Sequence, residues 1–279
     1  MILRHDLLNT ADSDSNGDED GLASASCEEL RLQASERTAL ANCSWFSALP
    51  ATIRHDLLRS LRVRSYSDGE CVYYAGAPLH AWMVCVSGSV GLSTPTKAER
   101  SVMLHFIRPG HWFGDLPTQD RWTHLHDAFA KGPTRIGEID RDDFNLLLHR
   151  HPELLAAVLQ WQSMRLLSIF QLLEAHATDG LLIRLSRQFL RLAKDHGRHL
   201  PKGGIEIALS LGQSELASLG ACSRQRANQQ IRILCRSKLI SYSSRRYVIR
   251  DPIGLQELVE GKRGVELPAN ARISRPRAR

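Results

Sequence analysis

The chain has 279 residues, 43% hydrophobic and 24% charged with only 6% aromatic, which is enough for about two globular domains with mainly aliphatic cores. No stretch reaches the roughly 18 consecutive apolar residues of a membrane helix, and the N-terminus lacks the basic start and apolar run of a secretory signal, so the expected location is cytoplasmic, with no membrane partner. Six dispersed cysteines (Cys27, Cys43, Cys71, Cys85, Cys222, Cys235) form no Cys-x-x-Cys pair, which argues against a disulfide framework, a zinc site or an iron–sulfur cluster.

The net charge of +6 is unevenly spread. Residues 11–20 hold five acids and no base, and residues 1–36 read as an acidic, Ser-rich disordered segment, with a short helix around Glu28–Leu40. Residues 37–150 read as a β domain. Candidate strands Cys71–Tyr74, Ala81–Val86, Val90–Ser93, Ser101–Ile107 and Thr134–Ile139 alternate with glycine-marked turns such as Ser67-Asp68-Gly69-Glu70, Ser87-Gly88-Ser89 and Pro109-Gly110-His111. Short strands at this spacing indicate a barrel or sandwich.

Helical texture starts near Asp140 and strengthens over residues 151–178. There Leu155, Leu159, Gln162, Leu166, Ile169 and Leu173 recur at spacings of 4, 3, 4, 3 and 4. That is the a/d seam of a coiled coil, with the single polar Gln162 at a register-setting position; an ordinary helix packed on its own domain is the alternative reading. Leu154, Val158, Trp161 and Phe170 lie off the seam and supply a second apolar face for the helix's own domain. After Asp179-Gly180, Leu181–His196 reads as an amphipathic helix and Ile205–Leu209 as a strand.

Residues 181–250 hold 14 Lys/Arg against three Asp/Glu, an electrostatic footprint for a polyanion, although a solvated face would have the same total. Face chemistry decides between the two. Gly212 can open a short helix, with Glu215 three residues on to bond back to its free amides. Gly220 permits a tight turn, and Ser223 caps a second helix from Arg224 to about Ser237. Ala227, Ile231 and Leu234 point to the core. Arg224, Gln225, Asn228, Gln229 and Arg232 share the other side with no acid among them, and these side chains suit base edges and phosphates. Leu239–Tyr242 and Tyr247–Ile249 frame a hairpin whose Arg245 and Arg246 suit DNA backbone contacts. Residues 179–252 thus read as a winged helix-turn-helix domain and 253–279 as a basic tail with Arg272, Arg275, Arg277 and Arg279.

The run Cys222-Ser223-Arg224-Gln225-Arg226-Ala227-Asn228-Gln229-Gln230-Ile231-Arg232 resembles the recognition helix of the Crp/Fnr family of bacterial transcription regulators. The turns at Gly69, Gly76, Gly88 and Gly110, with Trp112-Phe113-Gly114-Asp115, resemble a cyclic-nucleotide-binding β-roll, and the resemblance runs from about Trp45 to Asp251. It implies an α+β architecture: a β-roll (double-stranded β-helix) sensor, a long dimerisation helix and the winged domain. It also implies a homodimer on a two-fold symmetric double-stranded DNA site, with RNA polymerase as a further partner. DNA contacts carry over to Ser223, Arg224, Gln225 and Gln229. Gln225 stands where the cAMP receptor type has a glutamate and Gln229 where it has an arginine, so the preferred half-site should differ.

In cAMP-binding members the phosphate cassette opens Gly-Glu-Leu and closes on Arg-Ser or Arg-Thr. Here Gly114-Asp115-Leu116 resembles the opening, but His126-Asp127 stands at the close, where an acid would repel a phosphate. Ile169 and Phe170 stand where those members present hydroxyls to the base. The sequence therefore argues against cAMP in the usual mode and leaves a degenerate pocket or another small-molecule effector open. His111, His124, His126 and Asp127 fall short of a metal or haem ligand set, and no metal is expected. Cys71 and Cys85 read as packing residues, with a redox sensor at Cys85 as the alternative. No nucleophile–base arrangement supports an enzyme. The alternative to a DNA-binding regulator is a nucleotide-binding signalling module without a DNA role.

Overall fold

The computed structural model describes residues 32–95, 101–116, 123–201 and 203–265. The N-terminal acidic run and the arginines from Arg272 onward lie outside the described residues. Three short helices open the fold: α1 (Ala34–Ala41), α2 (Ser44–Ser47) and α3 (Ala51–Ser60). Eight strands follow: β1 (Arg62–Tyr66), β2 (Cys71–Tyr73), β3 (Ala81–Ser87), β4 (Val90–Pro95), β5 (Ser101–Ile107), β6 (Trp112–Phe113), β7 (Asp127–Ala130) and β8 (Thr134–Asp140). They pair antiparallel in two four-stranded sheets, ordered β1-β8-β3-β6 and β2-β7-β4-β5.

Strand β3 shows why Ala81–Val86 reads as an unbroken apolar run. Both of its faces are covered. Ala81, Met83 and Cys85 point into the roll with Ile136 and Phe113, while Trp82, Val84 and Val86 join Leu40, Ile53, Leu57 and Phe144 beneath the helices. Gly88, at φ +78, makes the β3–β4 turn, where a Cβ would lie 2.4 Å from the Pro133 carbonyl oxygen. Strands β1 and β7 have no counterpart among the predicted strands. In β1 only Val63 is buried, and β7 is only four residues long and opens on the acid Asp127, so neither offers a strand-length apolar alternation.

The sensor begins earlier than the boundary at residue 36 suggests. Glu36 is buried in α1, accepts from the Gln33 amide at 2.8 Å, and pairs with Arg135 at 2.7 Å. The short helix expected around Glu28–Leu40 is present over its C-terminal part, and Glu36 within it caps the helix and ties it to the sensor, a role that its partner Arg135, 99 residues on, hides from the sequence.

Helix α4 (Arg141–Arg150) is capped by Asp140, which accepts from the Asp143 amide at 2.9 Å. Helix α5 (Pro152–Thr178) opens on a proline at its first turn. Its Leu154 and Val158 are buried against the sensor, and Trp45 donates its indole N–H to the Ala157 carbonyl at 2.7 Å. Trp161 packs on Trp45 and Trp82, and Arg165 donates to the Gly114 carbonyl at 3.2 Å, while on the other face Leu155, Leu159, Leu166, Ile169 and Leu173 are all exposed. Phe170, expected on the face toward its own domain, is 59% exposed instead, since it lies past the Arg165 contact with the Gly114 carbonyl.

The C-terminal unit comprises α6 (Leu181–His196), β9 (Gly197–His199), β10 (Ile205–Ile207), α7 (Gln213–Leu219), α8 (Arg224–Arg236), β11 (Ile240–Ser243), β12 (Arg246–Ile249) and α9 (Pro252–Val259). The third sheet is ordered β11-β12-β10-β9. Helix α9 was not expected, since the basic tail was drawn from residue 253. Its Leu255 and Leu258 are buried in the same core as Phe189, Leu234 and Tyr247, so this unit runs past residue 252.

The two units touch. Phe106 of β5 is 2% exposed and sits in the C-terminal core with Phe189 and Leu192. Arg108 pairs with Asp195 at 3.2 Å, and the Lys131 ammonium with Glu215 at 2.7 Å. A cavity of about 240 Å³ lies at this junction, lined by Asp68, Lys131, Ser210, Glu215 and Arg245 among others.

Candidate nucleic-acid interface and sensor turn

Helices α7 and α8 are set by their first turns. Glu215 accepts from the Gly212 amide at 2.6 Å and thereby closes the N-terminus of α7. Ala221, at φ 47, completes the turn after Gly220. Ser223 caps α8 by accepting from the Arg226 amide at 3.3 Å. Ala227, Ile231 and Leu234 are buried, as their spacing requires. With this face anchored, Arg224, Gln225, Gln229 and Arg232 are exposed and Asn228 is half-buried.

One organiser escaped the sequence reading. The Gln213 side-chain oxygen accepts from Arg224 Nε at 3.2 Å and from Asn228 Nδ2 at 2.9 Å, so α7 fixes the orientation of two side chains on α8. Only the fold brings position 213 beside 224 and 228. Arg226 is exposed at the same end of α8 and adds a further cation.

The wing is the β11–β12 hairpin. Ser244 and Arg245 take φ of 50° and 62° at its tip, a left-handed pair that matches the twist of a two-residue hairpin loop and strains non-glycine residues. Arg245 is exposed and lines the junction cavity, while its carbonyl accepts from the Leu211 amide at 3.3 Å. Arg246 pairs with Glu206 at 3.1 Å, and Arg198 pairs with the same carboxylate at 2.5 Å. Hydrogen bonds from Arg198 and Arg246 hold the Glu206 carboxyl below the usual range.

The sensor turn is built differently. Gly114 adopts φ +80 directly after β6, and Asp115 and Leu116 follow it half-buried. Asp127 is buried, and its carboxylate accepts from the Ala75 amide at 2.8 Å. His124 stacks on Tyr73 with ring centroids 3.6 Å apart and planes 9° from parallel. Burial lowers the His124 pKa, and burial together with the nearby Asp115 charge raises that of Tyr73. His126 is half-buried two residues on. His111 has other neighbours altogether, Arg108, Asp195 and His196 at the junction of the two units. Among the described residues no group of three His, Cys, Asp or Glu side chains is arranged to hold a metal ion. Cys85 is fully buried, which pushes its thiol up to about 12 and leaves it without thiolate reactivity near neutral pH.

Comparison with known proteins agrees with both halves. A family model described as a cyclic nucleotide-binding domain matches residues 63–151, and one described as a Crp-like helix-turn-helix domain matches residues 183–258. Among curated proteins, the global nitrogen regulator of Synechococcus elongatus is 26% identical over 71% of this chain and 89% of its own length. The CRP-like cAMP-activated global transcriptional regulator of Mycobacterium tuberculosis is 25% identical over 74% of this chain and 96% of its own. Among solved structures, a CRP/FNR-family regulator from Thermus thermophilus superposes with a TM-score of 0.60 at 24% identity, covering 71% of this chain and 98% of that one. A c-di-GMP-responsive regulator from Xanthomonas campestris gives 0.61 at 22% identity, covering 72% and 99%.

Proposed function

The chain belongs to the Crp/Fnr family of bacterial DNA-binding transcription regulators, and on that premise we propose that it works as a cytoplasmic homodimer without enzymatic activity, reading a two-fold symmetric site through α8. The seam Leu155, Leu159, Gln162, Leu166, Ile169 and Leu173 joins the two subunits. These leucines are 49–58% exposed, so covering each contributes roughly half of the full-burial figure, on the order of 1 kcal/mol. Each α8 enters a major groove, with half-sites about one helical turn apart. Arg224, Gln225 and Gln229 meet base edges. Ser223, Asn228 and Arg232 fix the helix on the backbone, and Arg245 and Arg246 add phosphate contacts from the wing. RNA polymerase is the expected protein partner.

One observation supports this reading above the others. The exposed face of α8 carries cations and amides and no acid, on a helix whose opposite face is locked in a core. A helix that only faced water would gain from mixed charge. The signalling-module alternative needs a nucleotide cassette, and here Asp127 is bonded within its own chain. An electrophoretic mobility shift on promoter fragments tests the proposal. Wild type should retard a subset of fragments and Arg224→Ala should not. Retardation by the variant equal to wild type would refute the assignment.

A further inference from the structure

The sheet of the C-terminal unit turns one face into the core and one outward, and the outward face is organised around a single acid. Ile205, Ile207, Tyr247 and Ile249 face the core. The alternate residues face out, so Glu206 of β10 lies between Arg198 on β9 and Val248 on β12, each directly opposite it in the ladder. Glu206 is the only acid in strands β9–β12, yet it is just 8% exposed. Two arginines cover it. Arg198 donates from Nη2 to one carboxylate oxygen at 2.5 Å, and Arg246 donates from Nη1 to the other at 3.1 Å. Their own side chains stay 67% and 61% exposed. Arg250, just past β12, is a third cation on this face, where its Nε donates to the Ser241 hydroxyl at 2.9 Å.

This face adjoins the wing tip. Arg246 directly follows Arg245, and Arg198, far earlier in the chain, is brought beside it by the β9–β10–β12 ladder. A DNA phosphate and a carboxylate offer a guanidinium the same thing, anionic oxygens for charge-assisted hydrogen bonds. Glu206 and the DNA backbone therefore compete for the same N–H groups. The arginine hydrogen bonds keep the Glu206 carboxyl below the usual carboxylate range, so the competing charge is always present near neutral pH. The backbone can still win, because ion pairs whose cations reach into water are weak.

We propose that the outer face of this sheet is a second DNA-backbone surface throttled by Glu206: without DNA the carboxylate occupies Arg198 and Arg246, and on DNA both arginines exchange it for phosphates flanking the half-site. The inference rests on the regulator reading above and adds Arg198 to the contact set. Each exchange replaces one anion by another around the same cation, so its net gain is smaller than that of a free arginine. Phosphate contacts carry no sequence information. The throttle therefore lowers affinity for every duplex by the same factor, which holds down binding to arbitrary DNA and leaves base reading by α8 untouched.

The test uses the full-length protein and two fluorescent duplexes of equal length, one carrying its selected site with flanks and one scrambled, with anisotropy read across a series of salt concentrations. Glu206→Gln keeps the shape of the side chain and removes its charge. It should bind both duplexes about three- to tenfold more tightly, with the ratio between them unchanged and the salt slope steeper by about one. Adding Arg198→Ala to Glu206→Gln should cancel part of that gain. Arg198→Ala alone changes only an exposed side chain on the edge strand β9. It should weaken both duplexes about two- to threefold with a shallower salt slope, and that arm stands even if Glu206→Gln does not fold. Circular dichroism melts and sedimentation mass accompany each variant, because a role confined to stability would lower the melt and leave the affinity and slope of the folded protein unchanged. That outcome overturns the proposal, as does a gain in Glu206→Gln that survives removal of both Arg198 and Arg246. Wild type that does not prefer its site over the scrambled duplex is a different result, since it removes the regulator reading and the throttle with it.

Discussion

The outer face of α8 and the turn after β6 are both dense in polar side chains, and they dispose of them in opposite ways. On α8 the side chains of Gln225, Gln229 and Arg232 reach into solvent, and only Arg224 and Asn228 are steadied, both by Gln213. Around the sensor turn several polar groups are engaged within the chain: Asp127 accepts from the Ala75 amide, Arg165 donates to the Gly114 carbonyl, and the His124 ring stacks on Tyr73 although its buried Nδ1 makes no hydrogen bond among the described residues. Buried polar groups must find partners, so a polar cluster already satisfied by its own chain is structural, whereas one oriented yet uncommitted is poised for something outside. That contrast accords with the proposed reading, in which external recognition falls to the C-terminal half.

The strongest way to break the comparison is to remove the proposed dimer. Leu166→Glu combined with Ile169→Glu should give a monomer by sedimentation and abolish retention on a two-fold site, because one subunit reaches a single half-site. A double variant that stays dimeric would place the interface elsewhere. Next come the recognition residues. Gln229→Ala should cost about 1–3 kcal/mol of discrimination at one base position, read by competition with site variants, while leaving the thermal melt unchanged. Weakening that is uniform across all sequences would instead make Gln229 a backbone contact.

Smaller effects test the junction between the halves. Lys131→Ala removes a pair whose side chains are each 24% exposed, and should cost about 1 kcal/mol or less of stability. The loss should appear as faster amide exchange at the first turn of α7, because Glu215 also caps that helix. Exchange changes confined to the β7–β8 turn would mean that the pair carries no coupling. The smallest change near neutrality comes from pH. Burial lowers His196 and pushes His111 down to about 4, so both are neutral in the fold. The unfolded chain protonates near 6.5, so their contribution is complete above that pH and is lost as pH falls from there toward about 4. Melting temperature should therefore fall across that window with junction amides opening first, whereas the α8 face, with no titrating group there, should not respond.

Most of the C-terminal half was legible in the sequence because its elements are regular and carry their own stop signals. The 3.6-residue pattern of Ala227, Ile231 and Leu234, the cap at Ser223 and the turn at Gly220 specify α8 from local chemistry alone. The coiled-coil spacing likewise marks Leu155, Leu159, Leu166, Ile169 and Leu173, which are exposed on α5. Strands β1 and β7 were not legible, since β1 buries one residue and β7 begins with an acid whose partner, Ala75, is 52 residues away in sequence. Helix α9 was hidden by the basic tail that follows it, and Phe170 by a helix whose contact with its own sensor ends sooner than its apolar pattern does. Gln213 and Arg165 act through partners that only the fold supplies.

The most direct test of the central claim is to incubate purified protein with fragmented genomic DNA, recover and sequence what it retains, and repeat this with Gln229→Ala. Wild type should enrich a two-fold symmetric motif with half-site centres about one helical turn apart, and the variant should relax or lose one position in each half. Enrichment of no motif by wild type, at salt low enough to keep non-specific binding, would contradict the assignment of α8 as a sequence-reading helix.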